Sequence, residues 1–343
     1  MKAIVYSETG DPSVLQLVDR PVLEPGPDEV RVRIVVSGVN PTDWKSRRGA
    51  ASGQALPFDE VVPGQDGAGI VEAVGDDVQH VSVGDRVWLA LAAYQRPNSG
   101  SSQEQPVLPA ERVFALPASA SFDQGASMGV PAITAYRALT VAEGGPDQLH
   151  LTALTGRIVL VAGGAGAVGH ATIQLARWAG ATVITTVSGP QKAALATAAG
   201  AHHVFNYTDA DIVDQIRAIA PDGVDQIVEV SPAQNADLDL AVIRNRGSIS
   251  VYANNGGDQV TLDVRRHFAL NVRYQFVLLY TVGIDAIRAA GAAINVALED
   301  GALGIGDETG LPLHRFDLAH TADAHALVES GAVGKVLIDV TAA

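Results

Sequence analysis

The sequence predicts an α/β protein that combines a doubly wound parallel sheet with a smaller β-rich domain. Two patterns support this prediction. From residue 158 onward, short apolar segments alternate with helical segments every ~20–25 residues, which is long enough for right-handed crossover connections. Before residue 125, strand-like segments follow one another between Pro, Gly and Asp turns without long helices. The 343 residues suffice for two separate cores.

The first third of the chain predicts four strands. They cover residues 2–6, 29–36, 69–74 and 85–91, and turn-forming residues separate them. Residues 98–106 are polar and rich in Ser and Gln, so we expect an exposed, mobile loop there. Helical periodicity begins near residue 121 and covers residues 122–128 and 132–141.

The middle of the chain predicts a six-stranded parallel sheet. The strands are expected at 158–162, 182–187, 203–207, 224–230, 247–253 and 272–279. Helices are expected between most of them, at 167–179, 191–199, 209–220 and 233–244. Strands linked in this way favour a doubly wound arrangement.

The last stretch predicts two helices and a closing strand. The helices cover 284–300 and 321–330, and the strand covers 335–340. A terminal strand must pair with a host, and the β-rich first third offers one. We therefore predict one domain from residues 1–124 and 281–343, and a second from residues 125–280.

A glycine-rich turn between the strand at 158–162 and the helix at 167–179 predicts a dinucleotide site. Gly164, Gly166 and Gly169 fit Gly-x-Gly-x-x-Gly in its strand–turn–helix context. In such a site the first glycine makes the tight turn, the second admits the pyrophosphate, and the third lets helix and strand pack closely. The N–H groups at the helix start favour a bound anion.

The end of the second strand indicates which dinucleotide binds. An NAD site usually carries Asp or Glu about 20 residues after the turn. Here the strand at 182–187 is followed by Ser188 and Lys192, and the first acidic residue is Asp209. A hydroxyl and an ammonium group would attract a ribose 2′-phosphate, so we predict NADPH. The alternative is that Lys192 is only a solvated lysine at a helix start.

Composition excludes several classes of protein. The chain has no cysteine, which removes disulfides, thiolate nucleophiles and thiolate zinc sites. A net charge of −15 argues against a nucleic-acid partner. No leader precedes the strand-like opening, and no apolar run is long enough to span a membrane. We therefore expect a cytoplasmic protein with a small-molecule partner.

Six segments in order along the chain carry a family resemblance. They are Ser-Gly-Val-Asn-Pro-Thr-Asp-Trp-Lys at 37–45, Pro-Gly-Gln-Asp-Gly-Ala-Gly at 63–69, Val-Gly-Asp-Arg-Val at 83–87, Pro-Ala-Ile-Thr-Ala-Tyr at 131–136, the glycine-rich turn, and Gly-Lys-Val-Leu at 334–337. Together they resemble the zinc-free, zeta-crystallin-like quinone oxidoreductases of the medium-chain dehydrogenase/reductase superfamily. The resemblance implies a GroES-like catalytic domain built from both termini, a Rossmann domain with NADPH in the interdomain cleft, and a homodimer formed by the last Rossmann strands.

The resemblance also implies which residues contact the cofactor. The phosphate loop corresponds to 162–168, with Gly163, Gly164, Ala165, Gly166, Ala167 and Val168 as contacts. Ser188, Lys192 and Tyr207 match the contacts to the 2′-phosphate. The remaining matches lie near the nicotinamide end, namely Asn40, Thr134, Tyr252, Ala253, Asn254, Phe276, Leu278 and Lys335.

Some positions depart from the family pattern. Lys45 replaces a tyrosine that many members place in the substrate pocket, which puts the preference for quinones in question. Residues 92–106 lack the expected aromatic stretch, and 144–155 are longer than usual. Gln65 and Asp66 stand where zinc-dependent relatives often carry a His-Glu pair. We therefore expect no metal.

The chemistry that remains is hydride transfer from NADPH to a quinone or an α,β-unsaturated carbonyl. Asn40 and Lys45 are the candidates for stabilising negative charge on the acceptor oxygen. Alternatively, Asn40 is a turn residue before Pro41 and Lys45 a surface charge. The competing functions are a 2-alkenal or enoyl-thioester reductase, for which Arg47 and Arg48 are the local hint, and a catalytically idle NADPH-binding sensor. The sequence leaves the acceptor, the proton donor and the number of electrons transferred per step open.

Overall fold

The computed structural model describes residues 1–50 and 52–342 and forms two compact units. Residues 1–130 and 312–343 make the terminal unit, and residues 131–311 make the central unit. The first boundary lies close to the predicted one. The chain was predicted to return to the first domain at residue 281, but residues 281–311 belong to the central unit and the return comes at residue 312. In the central unit the Trp178 indole donates to Asp300 (2.8 Å), and the His170 ring bonds the Thr309 carbonyl (2.8 Å).

The first part of the terminal unit consists of short strands and two helices. The strands are β1 (Lys2–Val5), β2 (Gln16–Asp19), β3 (Glu29–Val39), β4 (Asp66–Val74), β5 (Arg86–Leu89), β6 (Val107–Pro109) and β7 (Val113–Ala115). The helices are α1 (Pro41–Arg48) and α2 (Phe122–Leu139), and α2 continues through Pro131 where two separate helical segments were predicted.

The central unit contains the second half of α2 and, among its other described residues, six strands and six α-helices. The strands are β8 (Ile158–Ala162), β9 (Thr182–Val187), β10 (His203–Asn206), β11 (Val224–Glu229), β12 (Ile243–Val251) and β13 (Arg273–Phe276). The helices are α3 (Ala167–Trp178), α4 (Pro190–Ala198), α5 (Ile212–Ile219), α6 (Pro232–Val242), α7 (Val264–Ala269) and α8 (Ile284–Glu299). The chain then returns to the terminal unit through β14 (Leu313–Asp317), α9 (Thr321–Glu329) and β15 (Lys335–Asp339).

The central sheet is fully parallel, as predicted, with strand order β10-β9-β8-β11-β12-β13. The order reverses between β8 and β11, and ligands of such sheets bind at the carboxyl ends of the strands at this point. Both faces of β8 and β9 are largely buried, since a parallel sheet is covered by helices on both sides. Both strands begin and end at the predicted residues.

The terminal unit is built around a seven-stranded sheet in the order β14-β15-β3-β4-β5-β7, with β6 also paired to β3. The closing strand β15 pairs antiparallel with β3, so the predicted host is confirmed. Alternate residues of β3, including Val30, Val32 and Ile34, are fully buried in the core of this sheet. Strands β2, β6, β7 and β14 and helices α1 and α7 were not predicted.

The predicted exposed loop at 98–106 is wrong, because the side chains from Ser99 to Gln103 are buried. The Ser101 N–H donates to the Gly64 carbonyl (3.0 Å), and the Gln103 amide donates to the carbonyls of Asn98 (2.7 Å) and Gly100 (2.9 Å). Internal hydrogen bonds thus satisfy most of the polar groups that suggested a solvated loop. Across 1–50 and 52–342, no helix has the length and apolar character that a membrane span requires.

Candidate functional site

The glycine-rich turn of the central unit has the geometry of a nucleotide-binding turn. Gly163 has φ +71°, a left-handed conformation that favours glycine. A Cβ on Gly164 would lie 2.2 Å from Oγ1 of Thr185, and a Cβ on Gly169 would lie 2.4 Å from the Gly163 carbonyl oxygen. Both glycines are therefore required for the close packing of β8, β9 and α3.

Gly166 differs from these two glycines because the space beside it is open. Its Cβ would meet only the Gly163 oxygen, at 3.5 Å, which is an ordinary contact. Gly166 is also the N-cap of α3, and the first turn of that helix has no acidic residue. Free N–H groups, a favourable helix dipole and open space make this position suitable for a phosphate.

The predicted 2′-phosphate contacts meet at the carboxyl end of β9. The Lys192 ammonium group donates to the Ser188 hydroxyl (3.0 Å), and both side chains are exposed. The Tyr207 N–H donates to the Val187 carbonyl (3.1 Å), which places this half-exposed tyrosine next to Ser188. Within the part of the chain that the structure describes, no carboxylate forms an ion pair with Lys192.

The segments after β12 and β13 line one cavity of about 440 Å3 in the central unit. Its walls include Tyr252, Ala253, Asn254, Phe276 and Leu278, all of which the resemblance selected. Phe276 is 63% exposed and Leu278 is 59% exposed. The structure therefore brings together these five predicted contacts around one opening.

Two predicted residues lie outside these groups. Thr134 is buried in α2 within the central unit. Lys45 is exposed on α1 of the terminal unit, with its ammonium group 5.9 Å from the centre of the adjacent Trp44 ring. Lys45 does not join the buried cluster around Asn40, which agrees with the alternative that it is a surface charge.

A buried polar cluster in the terminal unit joins Asn40 and Lys335 through an acid that was not predicted as a site residue. The Lys335 ammonium group donates to Oδ1 of Asn40 (2.8 Å) and lies 3.3 Å from Oδ2 of Asp66. The Asn40 amide donates to the same Asp66 oxygen (2.7 Å), and the Val130 N–H donates to the other (2.8 Å). Asn40 and Lys335 are 2% exposed and Asp66 is fully buried, so this cluster (Asn40, Asp43, Asp66 and Lys335) is closed to solvent.

Asp43 completes the cluster and begins helix α1. Its carboxylate accepts the Asn40 N–H (2.7 Å), so Asn40 is the N-cap residue and Asp43 closes the first turn. Burial, helped by the nearby Asp66 charge, raises the pKa of Asp43 to about 7, although Lys335 and the backbone N–H donors act in the opposite direction. Burial also raises the pKa of Asp66, while Lys335 and Asn40 act in the opposite direction. Both acids are held in an environment that favours the protonated form.

The sequence contained signals for Asp43 and Asp66, which were not predicted as site residues. Asn40 followed three residues later by Asp43 is an N-cap pattern, and it predicts helix α1. Asp66 was noted only as a replacement for a metal ligand. A carboxylate within an otherwise apolar and glycine-rich strand requires a buried partner, and Lys335 in the closing strand provides it.

Replacing Asp43 with Asn is expected to change how stability depends on pH. The folded state keeps this carboxyl protonated up to about pH 7, whereas the unfolded chain loses the proton near its ordinary pKa of 3.8. The wild-type free energy of unfolding therefore carries a penalty above pH 7, which decreases as the pH falls and is absent below pH 4. Asp43→Asn should remove this penalty, so its largest gain relative to wild type is at pH 8. The gain is a few kcal/mol at most, since one pKa unit equals about 1.4 kcal/mol.

Urea unfolding at pH 5 and pH 8 measures this effect. Asp85→Asn is the matched control, because the Asp85 carboxylate also accepts an N–H three residues earlier, from Ser82 (2.8 Å), but is exposed. The control should differ from wild type by less than about 0.5 kcal/mol at both pH values. A constant difference between Asp43→Asn and wild type across this range would contradict the expected proton uptake.

Two family models match the chain. The model of the alcohol dehydrogenase GroES-like domain matches residues 26–118, and the model of the zinc-binding dehydrogenase matches residues 167–295. The chain itself has no cysteine. Among the described residues, no three His, Asp or Glu side chains are grouped closely enough to hold a metal ion.

Individual relatives cover from three quarters to nearly all of the chain. Human quinone oxidoreductase is 31% identical over 98% of this chain and 97% of its own length. A 2-haloacrylate reductase from Burkholderia sp is 31% identical over 75% of this chain and 74% of its own length. A mycobacterial protein solved in complex with NADPH is 30% identical, with a TM-score of 0.80 over 98% of this chain and 99% of its own. The chain belongs to the quinone oxidoreductase family of the medium-chain dehydrogenase/reductase superfamily.

Proposed function

We propose that this protein is an NADPH-dependent reductase that transfers hydride, without zinc, to a quinone or another activated carbonyl acceptor. One observation carries the choice of cofactor. Lys192 and Ser188 form a hydrogen-bonded pair beside Tyr207 at the end of β9, and no described carboxylate neutralises the ammonium group. An NAD site would place an acid there for the ribose 2′-hydroxyl.

The central unit fits this cofactor in three places. The N–H groups at the start of α3, with open space beside Gly166, would hold the pyrophosphate. Ser188 and Lys192 would hold the 2′-phosphate, and the cavity lined by Tyr252 and Phe276 would admit an aromatic ring. When bound, NADPH supplies the hydride and leaves as NADP+. The acceptor gains this hydride and one proton from solvent.

In this proposal Asn40 and Lys335 of the terminal unit have a structural role. Asn40 was the candidate for stabilising charge on the acceptor, but its Oδ1 is occupied by Lys335 and one amide hydrogen by Asp66. Only the second amide hydrogen of Asn40 remains for a ligand. We propose that Asn40 and Lys335 fix the shape of this region, and that Lys45 is a surface charge on α1 without a role in the chemistry.

A second candidate function within the same chemistry is reduction of a 2-alkenal or enoyl thioester. The similarity to a 2-haloacrylate reductase favours it, since a haloacrylate is an activated alkene. Arg48 is exposed on α1 but pairs with Glu329 (3.1 Å), and Arg47 is buried against the same carboxylate, so neither arginine offers a free cationic surface. This observation weakens the case for a carrier thioester with several phosphates.

The proposal also covers the oligomeric state, the cellular location and the absence of zinc. The edge strand β13 ends at the exposed Phe276, which supports a homodimer formed by pairing this edge with a second copy. The chain has no cysteine, and Gln65 and Asp66 stand where zinc-dependent relatives often carry a His-Glu pair. Both observations support chemistry without zinc. The cytoplasmic location predicted from the sequence also stays a proposal.

Replacing Lys192 with Glu is expected to weaken NADPH binding far more than NADH binding. The new carboxylate repels the 2′-phosphate and accepts a hydrogen bond from a ribose hydroxyl, so the ratio of the two dissociation constants should change by about 100-fold or more. Quenching of protein fluorescence by each nucleotide measures both constants. The matched control is Lys2→Glu, an exposed lysine of the terminal unit paired with Asp19, which should leave both constants unchanged.

Consumption of NADPH with ortho-quinones, para-quinones and enals tests the reductase activity itself. Turnover with quinones supports the proposal, and turnover with enals alone favours the second candidate. Tight NADPH binding without turnover of any acceptor would instead favour a sensor. Equal effects of Lys192→Glu on NADPH and NADH would contradict the assignment of the 2′-phosphate.

A further inference from the structure

Two acids, Glu229 and Asp239, are buried together in the central unit. Glu229 ends strand β11 and is fully buried, and Asp239 lies on helix α6 and is 1% exposed. Their side chains are hydrogen-bonded to each other, and among the described residues neither acid forms an ion pair with a cation. Two buried carboxyl groups in contact cannot both ionise, so they share one proton and keep a single negative charge.

The negative charge of this pair resides on Glu229. Its carboxylate accepts the Ser231 N–H and the Asn235 amide (3.0 Å), and such donors stabilise a charged oxygen. By contrast, Oδ2 of Asp239 is buried without a hydrogen-bond partner, which suits a neutral carboxyl group. Burial raises the pKa of Asp239 well above its usual value, and the Glu229 charge raises it further. Asp239 is therefore the protonated member of the pair.

The sheet register places Glu229 next to the cavity of about 440 Å3 in the central unit. Glu229 pairs with Val251 of β12, and Val251 pairs with Phe276 of β13, so the three residues form one row across the carboxyl ends of the strands. Val251, Tyr252 and Phe276 all line the cavity. The Tyr252 N–H donates to the Glu229 carbonyl (3.1 Å). Burial raises the pKa of Tyr252 and the Glu229 charge adds to the rise, so the field of Glu229 reaches the cavity wall.

Asp258 adds a second negative charge at the cavity itself. The residue is exposed, and its carboxylate accepts a hydrogen bond from the Asn254 amide. Among the described residues that line the cavity, Asp258 alone carries a charged side chain. The cavity thus has negative charge at its rim and behind its wall, and the buried charge is only weakly screened by salt.

We infer that this cavity favours the oxidised, positively charged nicotinamide ring over the reduced, neutral ring, with Glu229 and Asp258 as the sources of its negative potential. The inference rests on the proposed function, in which this cavity admits an aromatic ring of the cofactor. It deepens that function by naming residues that set which redox state of the nucleotide binds more tightly.

The charge that develops during the reaction gives this field a role. When a C–H bond of the reduced ring breaks, the hydrogen leaves for the acceptor with both bonding electrons, and the ring becomes a cation. The acceptor takes this hydride and one proton from solvent. Negative charge fixed where positive charge develops stabilises the transition state. Glu229 and Asp258 exchange no atom or electron, and Glu229 is a positioning residue that acts through its field.

The test compares the dissociation constants of NADP+ and NADPH by isothermal titration calorimetry. Glu229→Gln keeps the shape of the side chain and removes its charge, so the ratio of Kd for NADP+ to Kd for NADPH should rise by about 5–20-fold. Asp258→Asn should raise this ratio by only about 2–3-fold, because water and salt screen an exposed carboxylate. The fragment 2′-phospho-ADP-ribose lacks the nicotinamide ring, so its Kd should stay within about twofold of wild type in both variants.

Two matched controls separate charge from structure. Asp239→Asn keeps the carboxylate of Glu229 and supplies an amide donor to it, so the ratio should stay within about twofold of wild type. Asp222→Asn removes an exposed carboxylate just before β11, at the end of the strand opposite Glu229, and should also leave the ratio unchanged. If the acid pair were purely structural, Glu229→Gln and Asp239→Asn would behave alike and would weaken both nucleotides equally.

Three results for Glu229→Gln would overturn the inference. They are an unchanged ratio, an equal weakening of both nucleotides, and a rise in the ratio that Asp239→Asn matches. If Glu229→Gln does not fold, Asp258→Asn decides, and an unchanged ratio in that variant overturns the inference. In each of these cases the wild-type protein still binds NADPH and the proposed function stands. If the wild-type protein binds neither nucleotide, the proposed function fails and the inference fails with it.

Discussion

Replacing Lys335 with Met is expected to lower the free energy of unfolding by about 3–5 kcal/mol. The substitution leaves the fully buried Asp66 carboxylate without its cation and removes the donor to Oδ1 of Asn40. A buried charge that loses its partner costs far more than the net value of the pair, because the remaining charge must stay dehydrated or take up a proton. Chemical denaturation followed by tryptophan fluorescence measures the loss.

The loss should depend on pH. Burial already raises the pKa of Asp66, and removing Lys335 raises it further, so the variant can neutralise the carboxyl group by binding a proton. The destabilisation should therefore be largest at pH 8 and smaller at pH 5. Lys2→Met is the control, because Lys2 and Asp19 form a similar pair (2.7 Å) at the surface, with an expected loss below about 1 kcal/mol. Equal losses in the two variants would contradict a special role for the buried pair.

Replacing Gly169 with Ala is expected to reduce stability and nucleotide binding together. The new Cβ would lie 2.4 Å from the Gly163 carbonyl oxygen and 2.9 Å from the Gly164 Cα, and neither backbone atom can rotate away. Helix α3 must then shift away from the turn, at a cost of about 1–3 kcal/mol. The shift displaces the N–H groups that would hold the pyrophosphate, so NADPH affinity should fall at least about tenfold, or 1.4 kcal/mol.

Gly166→Ala provides the comparison that separates the two effects. Its Cβ meets no atom closer than 3.5 Å, so the free energy of unfolding should change by less than about 1 kcal/mol. The same methyl group occupies the space through which a pyrophosphate would approach, so NADPH affinity should still fall about tenfold. Thermal unfolding and nucleotide titration of both variants measure these effects. Normal NADPH affinity in Gly166→Ala would contradict the proposed phosphate position.

The alternation of strands and helices was predictable because it depends on local periodicity. Strands β8 and β9 have the predicted ends, since continuous β-branched segments bounded by glycine leave few alternatives. Short strands such as β6 and β7, with three residues each, carry too little pattern to predict. Residues 98–106 were misjudged because composition does not reveal whether polar groups bond to water or to the chain itself.

The candidate site was predictable where its residues are close in sequence. Ser188 and Lys192 are four residues apart on either side of the start of α4, so the local turn from β9 into this helix brings them together. Asn40 and Lys335 are 295 positions apart, and their contact depends on the register in which β15 pairs with β3. The sequence suggested both residues through a resemblance, but their shared partner Asp66 required the three-dimensional structure.

The burial of residues 99–103 has a practical consequence for engineering this protein. The hydrophilic composition would make this segment an attractive place to insert an affinity tag or a fluorescent label. An insertion there would break the bonds between Ser101 and the strand that carries Asp66. The turn at 82–85 is the better choice, since Val83 is 62% exposed and the space around Gly84 is empty.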